Sequence, residues 1–288
     1  MTGSPVHVIG ATGRTGAKLC RALTGDFVPV VRSAARWATM GLRGQPRIAD
    51  LDDPTALRAA LAGATRIVSC AHARHAASVV AAAPPEALLI FLGSTRKFSR
   101  WPDAHGDGVR QGEAAFLASG RRGAMLHPTM IYGATGENNV QRLAALLRRL
   151  PLVPLPGGGR VLVQPIHQDD VTAAILAALT FPWVGPNTLV IAGPAPVSYA
   201  DFVRAIAAAA GLAPPRIVAG PVAPLRLVAP LTRLLPGLPT IRAAEIRRLT
   251  EDKAFDVGPM RQILGVTPMP LAEGLARTFA RSHNHAAA

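Results

Sequence analysis

Gly10-Ala11-Thr12-Gly13-Arg14-Thr15-Gly16 follows the apolar run Val6–Ile9 and opens a helix-like segment. Glycines at every third position allow a tight turn and let the backbone approach an anion. The helix start beyond them offers free N–H groups and a partial positive charge. Strand, loop and helix in that order cradle the pyrophosphate of a dinucleotide, with Thr12 and Thr15 between the glycines. The next apolar run, Val28–Val31, ends in Arg32-Ser33, with Arg36 following and no acid nearby. An NAD site places a carboxylate there to accept from the ribose 2′-OH, whereas a guanidinium pairs with the 2′-phosphate of NADP. A dinucleotide is therefore the expected ligand, NADP in preference to NAD. The competing reading of Arg32 and Arg36 is a pair of solvated surface residues.

Other polar groups carry weaker chemistry. His72 and His75 have helical i,i+3 spacing, but no carboxylate or cysteine beside them completes a metal site, and none is expected. His167, Asp169 and Asp170 suggest catalysis by type alone. Pro156-Gly157-Gly158-Gly159-Arg160 reads either as a phosphate cradle or as a hairpin turn, the turn being preferred.

These groups need elements to hold them. Short apolar runs at Val6–Ile9, Phe27–Val31, Arg47–Leu51, Ile67–Ala71, Leu88–Leu92 and Ala124–His127 alternate with helix-like segments Thr15–Leu23, Thr55–Leu61, Ala76–Ala83 and Gly112–Ser119. Asp53-Pro54 reads as an N-cap followed by proline in the first turn. Near-continuous apolar strands alternating with helices indicate a parallel sheet covered on both faces, a Rossmann-type doubly wound α/β fold. After Tyr132 the rhythm changes. A basic helix Val140–Leu150 leads to the turn-rich Pro151–Gly159, a strand Val161–Ile166, a helix Val171–Leu179 capped by Asp169 or Asp170, and a strand Leu189–Ala192. Ser198 with Asp201 starts a helix Phe202–Ala210 in the manner of a capping box. The expected division is a dinucleotide-binding domain over 1–133, rejoined by 161–192, and a smaller, mainly helical part over 134–160 and 193–288.

The chain has 288 residues, 49% hydrophobic and 17% charged, which excludes a disordered or low-complexity protein. Its 27 glycines and 26 prolines are scattered without period, which excludes collagen-like and repeat architectures. Two cysteines, Cys20 and Cys70, build no disulfide framework and suit a reducing compartment. The net charge of +14 would fit a nucleic-acid binder. The arginines are spread along the whole length, however, and aromatics are only 5%, too few for base-stacking platforms, so nucleic acid is not the expected partner. No leader is visible at Met1–Pro5, and prolines break the uncharged stretch 171–200, so a cytoplasmic protein is expected. Pro221–Ile241 has no acid and sets Arg226 and Arg233 among apolar residues, which fits peripheral contact with the inner membrane face, a protein partner, or core packing alike.

The loop resembles that of the extended and atypical branches of the short-chain dehydrogenase/reductase family, the NAD-dependent epimerase/dehydratase-like proteins and the NADPH-binding accessory subunit of respiratory complex I. Four further stretches carry the resemblance: Asp50-Leu51; His127-Pro128-Thr129-Met130-Ile131-Tyr132-Gly133, with histidine where the family has arginine; Gln164–Val171; and Ile263-Leu264-Gly265-Val266 to Pro270. The resemblance implies cofactor contacts at Gly10, Thr12, Gly13, Arg14, Thr15, Gly16, Arg32, Asp50, Leu51, Ala71, His72, Ser94, Thr95 and Pro128. It also implies that the His167–Asp170 segment supports the fold through a helix cap. The family's usual acid–base pair, Tyr-x-x-x-Lys, is absent, because Gly136 and Val203 follow the two tyrosines, Tyr132 and Tyr199, at that spacing. Gly106 and Arg110 stand where the pair belongs. His105, Asp107 and Lys97 are the candidates for a substitute, against a preferred reading of Trp101–Gly108 as a flexible polar loop without a role. The expectation is an NADP(H)-binding protein, either an unconventional oxidoreductase or epimerase-like enzyme acting on an unidentified small molecule, or a non-catalytic redox-sensing or scaffolding protein.

Overall fold

A computed structural model describes residues 4–133, 139–150, 152–224 and 243–286, with backbone only from 281. Contacts divide the chain into two compact units, one of residues 1–129, 169–191 and 257–267, the other of 130–168, 192–256 and 268–288.

The first unit is built on a seven-stranded parallel sheet. Strands β1 (Val6–Ile9), β2 (Phe27–Val31), β3 (Arg47–Ile48), β4 (Arg66–Ser69), β5 (Leu88–Leu92), β6 (Gly123–Pro128) and β11 (Pro186–Ile191) lie in the order β11-β6-β5-β4-β1-β2-β3. The order reverses at β1, whose far neighbour is β4, and open sheets of this kind bind ligands outside the strand ends at such a switch point. Every residue of β1, β5 and β6 is buried, so both faces are covered, as the continuous apolar runs require.

Helices α1 (Arg14–Ala22), α2 (Ala34–Ala38), α3 (Pro54–Ala60), α4 (Ala76–Ala82), α5 (Ala104–Ala118), α7 (Gln168–Thr180) and α10 (Gly258–Leu264) accompany the sheet. Asp53 caps α3 as expected, its Oδ1 accepting from the N–H groups of Thr55 (2.9 Å) and Ala56 (3.0 Å). Phe116 of α5 packs on Phe91 of β5 with ring centroids 5.0 Å apart, in a core shared with Leu57, Leu61, Val79 and Met125. Full burial of one such ring contributes about 1.5–3 kcal/mol. The start of α7 differs from expectation: Asp169 and Asp170 lie inside its first turn, where they favour the helix dipole, and Asp169 pairs with Lys18 of α1 at 2.7 Å.

The second unit contains α6 (Asn139–Leu147), α8 (Tyr199–Ala209), α9 (Ala243–Arg248) and α11 (Leu271–Ala286), with three two-stranded pairs. These are β7 (Ile131–Tyr132) with β10 (Ile166–His167), β9 (Leu162–Val163) with β12 (Val197–Ser198), and β8 (Leu152–Pro156) with β13 (Arg216–Gly220). Ser198 caps α8, its Oγ accepting from Asp201 N–H at 3.0 Å. The strand β8 corrects the turn-rich reading of Pro151–Gly159, since its Leu-Val-Pro-Leu-Pro sequence hides an outer strand behind two prolines. The partner of β8 is the parallel strand β13, so Gly157–Gly159 do not close a hairpin. They form a short turn with φ of 55°, 70° and 73°, which only glycine adopts without strain. Tyr132 is buried here against His167, ring centroids 5.2 Å apart, as a core residue of this unit.

Pro221–Ile241 lies outside the described residues from 225 onward. Among the described residues, no helix is long and apolar enough to cross a membrane.

Candidate functional site

The sheet register fixes the site. Ile9 is level with Val30 on one side and Ser69 on the other, so Gly10 emerges between the ends of β2 and β4. Its N–H donates to Val30 O at 3.1 Å, and Cys70 N–H donates to Ile9 O at 3.0 Å. Gly10 adopts φ +73°, and a Cβ there would lie 3.1 Å from Ala71 N. Gly13 is the N-cap of α1 and has no side-chain cap, leaving the first N–H groups of the helix available to an anion. A Cβ at Gly16 would overlap the Gly10 carbonyl, so this glycine sets how tightly helix and loop pack.

A cleft of about 370 Å³ opens at these strand ends. Gly10, Thr12, Gly13, Arg32, Asp50, Leu51, Ala71 and His72 line it, eight of the residues to which the sequence assigns cofactor contact. Arg14, Thr15 and Gly16 form the first turn of α1 directly after the loop. Ser94, Thr95 and Pro128 lie farther along, at the ends of β5 and β6, outside the lining of that cleft. There Thr95 Oγ1 donates to Pro128 O at 3.2 Å. The lining also includes Arg36, Arg74, His75 and Asp52. Arg36 was legible beside Arg32; Arg74 and His75 were not, because nothing in their local pattern marks them as facing the loop. Three guanidinium groups on one cleft, a backbone cradle of glycines and a free helix start fit a phosphorylated dinucleotide. Cys70 also lines the cleft, and burial pushes its thiol up to about 12, which disfavours the thiolate.

The stretch 101–108 corrects the flexible-loop reading. Asp103 N-caps α5, its Oδ1 accepting from Gly106 N–H at 2.8 Å, and its other carboxylate oxygen pairs with Arg96. Glycines at 106, 108 and 112 conceal the helix from propensity, yet each is needed for a close approach. A Cβ at Gly106 would lie 2.9 Å from Arg96 O, so a larger residue there would force the helix or the turn to shift. Arg110 donates to Lys97 O at 2.7 Å and pairs with Asp107. Each candidate for a substitute acid–base group is thus already engaged. Asp107 is paired with Arg110, His105 is hydrogen-bonded to His72, and Lys97 is paired with Glu113.

Nothing in the local pattern marks the part Glu113 plays. Its carboxylate, 12% exposed, meets Lys97 Nζ and lies 3.3 Å from His127 Nε2. Ser94 N–H donates to His127 Nδ1 at 3.2 Å, so the imidazole proton sits on Nε2 and is directed at Glu113. Burial, then the nearby Lys97 charge, hold His127 down to about 4 against the opposite pull of Glu113. His127 thus anchors, as a neutral ring, the backbone of Ser94.

Among the described residues, no group of three or more His, Cys, Asp or Glu could hold a metal ion. The sequence matches no protein-family model and no curated protein. Solved structures are similar over nearly the whole chain. The NADPH-dependent quinone oxidoreductase QOR2 of Escherichia coli, complexed with NADPH, aligns with TM-score 0.72 and 18% identity over 95% of this chain and 99% of that one. Triphenylmethane reductase of Citrobacter sp., complexed with NADP(H), gives TM-score 0.73 and 18% identity over 95% and 99%. UDP-glucuronic acid 4-epimerase of Bacillus cereus, in complex with UDP-glucuronic acid and NAD, gives 0.73 and 14% over 98% and 99%. Strand order, switch point and glycine loop agree with this likeness, and the chain has the Rossmann-type fold that these two reductases and this epimerase share.

Proposed function

We propose that the protein binds NADP(H) as an atypical member of the short-chain dehydrogenase/reductase family, of the epimerase/dehydratase-like kind. The observation that carries this reading is the cleft in which the Gly10–Gly16 loop meets Arg32, Arg36 and Arg74. Backbone N–H groups of the loop and of the first turn of α1, which Arg14 and Thr15 begin, would hold the pyrophosphate. Arg32 would pair with a 2′-phosphate, Asp50 and Leu51 would meet the adenine end, and Ala71 and His72 the central part. Ser94, Thr95 and Pro128 would form the nicotinamide end. The cofactor, when bound, supplies or accepts a hydride. The protein's share is to bind it, orient it and exchange a proton with whatever stands opposite.

Calorimetry with NADP⁺ and NAD⁺ tests this. A charge-assisted hydrogen bond contributes about 1.5–3 kcal/mol, so Arg32→Ala should weaken NADP⁺ binding about 10- to 150-fold and leave NAD⁺ almost unchanged. Equal affinities for both, untouched by the substitution, would refute the reading.

A second reading, a non-catalytic sensor or scaffold that binds the same cofactor, has its own support. Gly106, where the resemblance puts the acid–base tyrosine, has no side chain and packs against Arg96 O, and Lys97 is held by Glu113. A substrate screen that consumes NADPH would exclude it.

A further inference from the structure

His72 ends the stretch after β4 and lines the cleft, and His105 stands in the first turn of α5. His72 Nε2 and His105 Nδ1 are 3.0 Å apart, with ring centroids separated by 4.3 Å and planes at 87°. The direction of this hydrogen bond follows from a third group. Arg74 N–H donates to His72 Nδ1 at 3.1 Å, so that nitrogen presents a lone pair and the ring proton sits on Nε2. Nε2–H then donates to His105 Nδ1, and the neutral His105 carries its own proton on Nε2.

No further proton fits. On His72 Nδ1 it would face the Arg74 N–H; on His105 Nδ1 it would face the His72 N–H. A proton at either place breaks one of the two hydrogen bonds that hold His72, so both exist together only while both rings are neutral.

The surrounding charges favour that state for His72. Its own turn contributes Arg74 and His75, the turn after β5 contributes Arg96, and α5 contributes Asp107 with Asp103 at its cap. Each carboxylate is already paired, Asp103 with Arg96 and Asp107 with Arg110. Burial first, then Arg74, His75 and Arg96, lower the His72 pKa from its ordinary value. The fold also sacrifices helix propensity for this contact. A Cβ at Gly108 would lie 2.9 Å from His72 Cε1, and one at Gly112 would overlap Ala73 O, although glycine is a poor residue for a helix interior.

We propose that His105 is a positioning residue for the dinucleotide cleft, completing a chain of two hydrogen bonds, Arg74 N–H to His72 and His72 to His105, that holds His72 in the cleft wall and that only the doubly neutral pair can make, so that ligand affinity falls as the pair takes up a proton. This rests on the cleft being the dinucleotide site proposed above. The sign follows from linkage: a histidine whose pKa is lowered in the folded pair supports the closed contact above that pKa and loses it as pH falls.

Two measurements test it. In the ligand-free protein, ¹⁵N NMR of the ring nitrogens at pH 8 should find both rings as Nε2–H tautomers. Either ring in the Nδ1–H form overturns the proposal. In calorimetry with NADP⁺, His105→Ala should bind about 2- to 10-fold more weakly than the parent at pH 8, the loss of one neutral hydrogen bond. His105→Asn, whose Oδ1 accepts from His72 but does not titrate, should restore parental affinity at pH 8 and reduce its decline at pH 5.5. Parental affinity in His105→Ala, no recovery in His105→Asn, or an undiminished pH response in His105→Asn would each overturn it. A parent that binds no NADP⁺ at all would refute the functional reading and with it the ligand-positioning role, whereas correct tautomers would still stand as evidence for the histidine pair, so the two failures are distinguishable.

Discussion

Gly112 of α5 lies against the carbonyl of Ala73 so closely that a single added methyl would overlap the oxygen. A backbone carbonyl cannot swing aside as a side chain can. In an ordinary exposed helix, glycine to alanine stabilises by about 1 kcal/mol. At this position the sign should reverse, because overpacking costs about 1–3 kcal/mol or more and the neighbour cannot yield. Gly112→Ala should therefore lower stability in urea denaturation, and a more stable variant would show that helix and turn are not in contact.

Lys97 and Glu113 form a mostly buried ion pair, each side chain 12% exposed. Removing one partner of such a pair costs about 3–5 kcal/mol, whereas replacing both by apolar groups is close to neutral. Glu113→Leu alone should be strongly destabilised, and Lys97→Met with Glu113→Leu should recover most of the loss. A double variant as unstable as the single one would mean that the pair's packing, not its charge, supports the fold.

His127 carries a pH signature. Its imidazole is held down to about 4, from an ordinary value of 6.5. Between those values the unfolded chain binds a proton that the folded chain refuses. Stability should therefore fall as pH drops from about 6.5 toward 4, by up to about 1.4 kcal/mol per pH unit from this ring. His127→Gln removes that contribution. Denaturation series at pH 7, 6 and 5 should give a shallower slope for the variant, and identical slopes would contradict a neutral His127.

The loop can be tested at Gly16, where a Cβ would overlap the Gly10 carbonyl. Gly16→Ala should displace the loop and weaken NADP⁺ binding by more than about tenfold, a loss on the order of 1.4 kcal/mol. Gly25→Ala, with nothing within 4 Å, serves as the control and should bind like the parent.

Turnover should be slow. A positioned acid or base contributes typically about 10²–10⁴ in rate. Here Lys97, His105 and Asp107 are all engaged with other groups, and Gly106 has no side chain to exchange a proton. A carbonyl panel assayed with NADPH should show weak or no consumption while the cofactor remains bound. Brisk turnover that survives alanine at each of the three would disprove this account of the site.

Local sequence carried the first unit because its signals are short-range. The apolar runs that became β1, β2 and β5, the glycines of the loop and the cap Asp53 each act within a few residues of themselves. A glycine loop between a strand and a helix needs no distant partner to be recognised, and Arg32 at a strand end is legible for the same reason. What local pattern could not decide depends on residues brought together from far apart in the chain. Gly106, Gly108 and Gly112 argue against a helix by propensity, yet α5 forms, and they let it approach Arg96 O, the His72 ring and Ala73 O respectively. Prolines argue against β8, whose ladder is supplied by β13, with paired residues 64 positions apart, Leu152 opposite Arg216. His72 and His105, 33 residues apart, read separately as surface or loop residues and become a hydrogen-bonded pair only through that close packing. Lys97, Glu113 and His127 likewise share one buried charge network that no spacing announces. Propensity and motif act along the chain, whereas burial, charge pairing and tautomer are set across it.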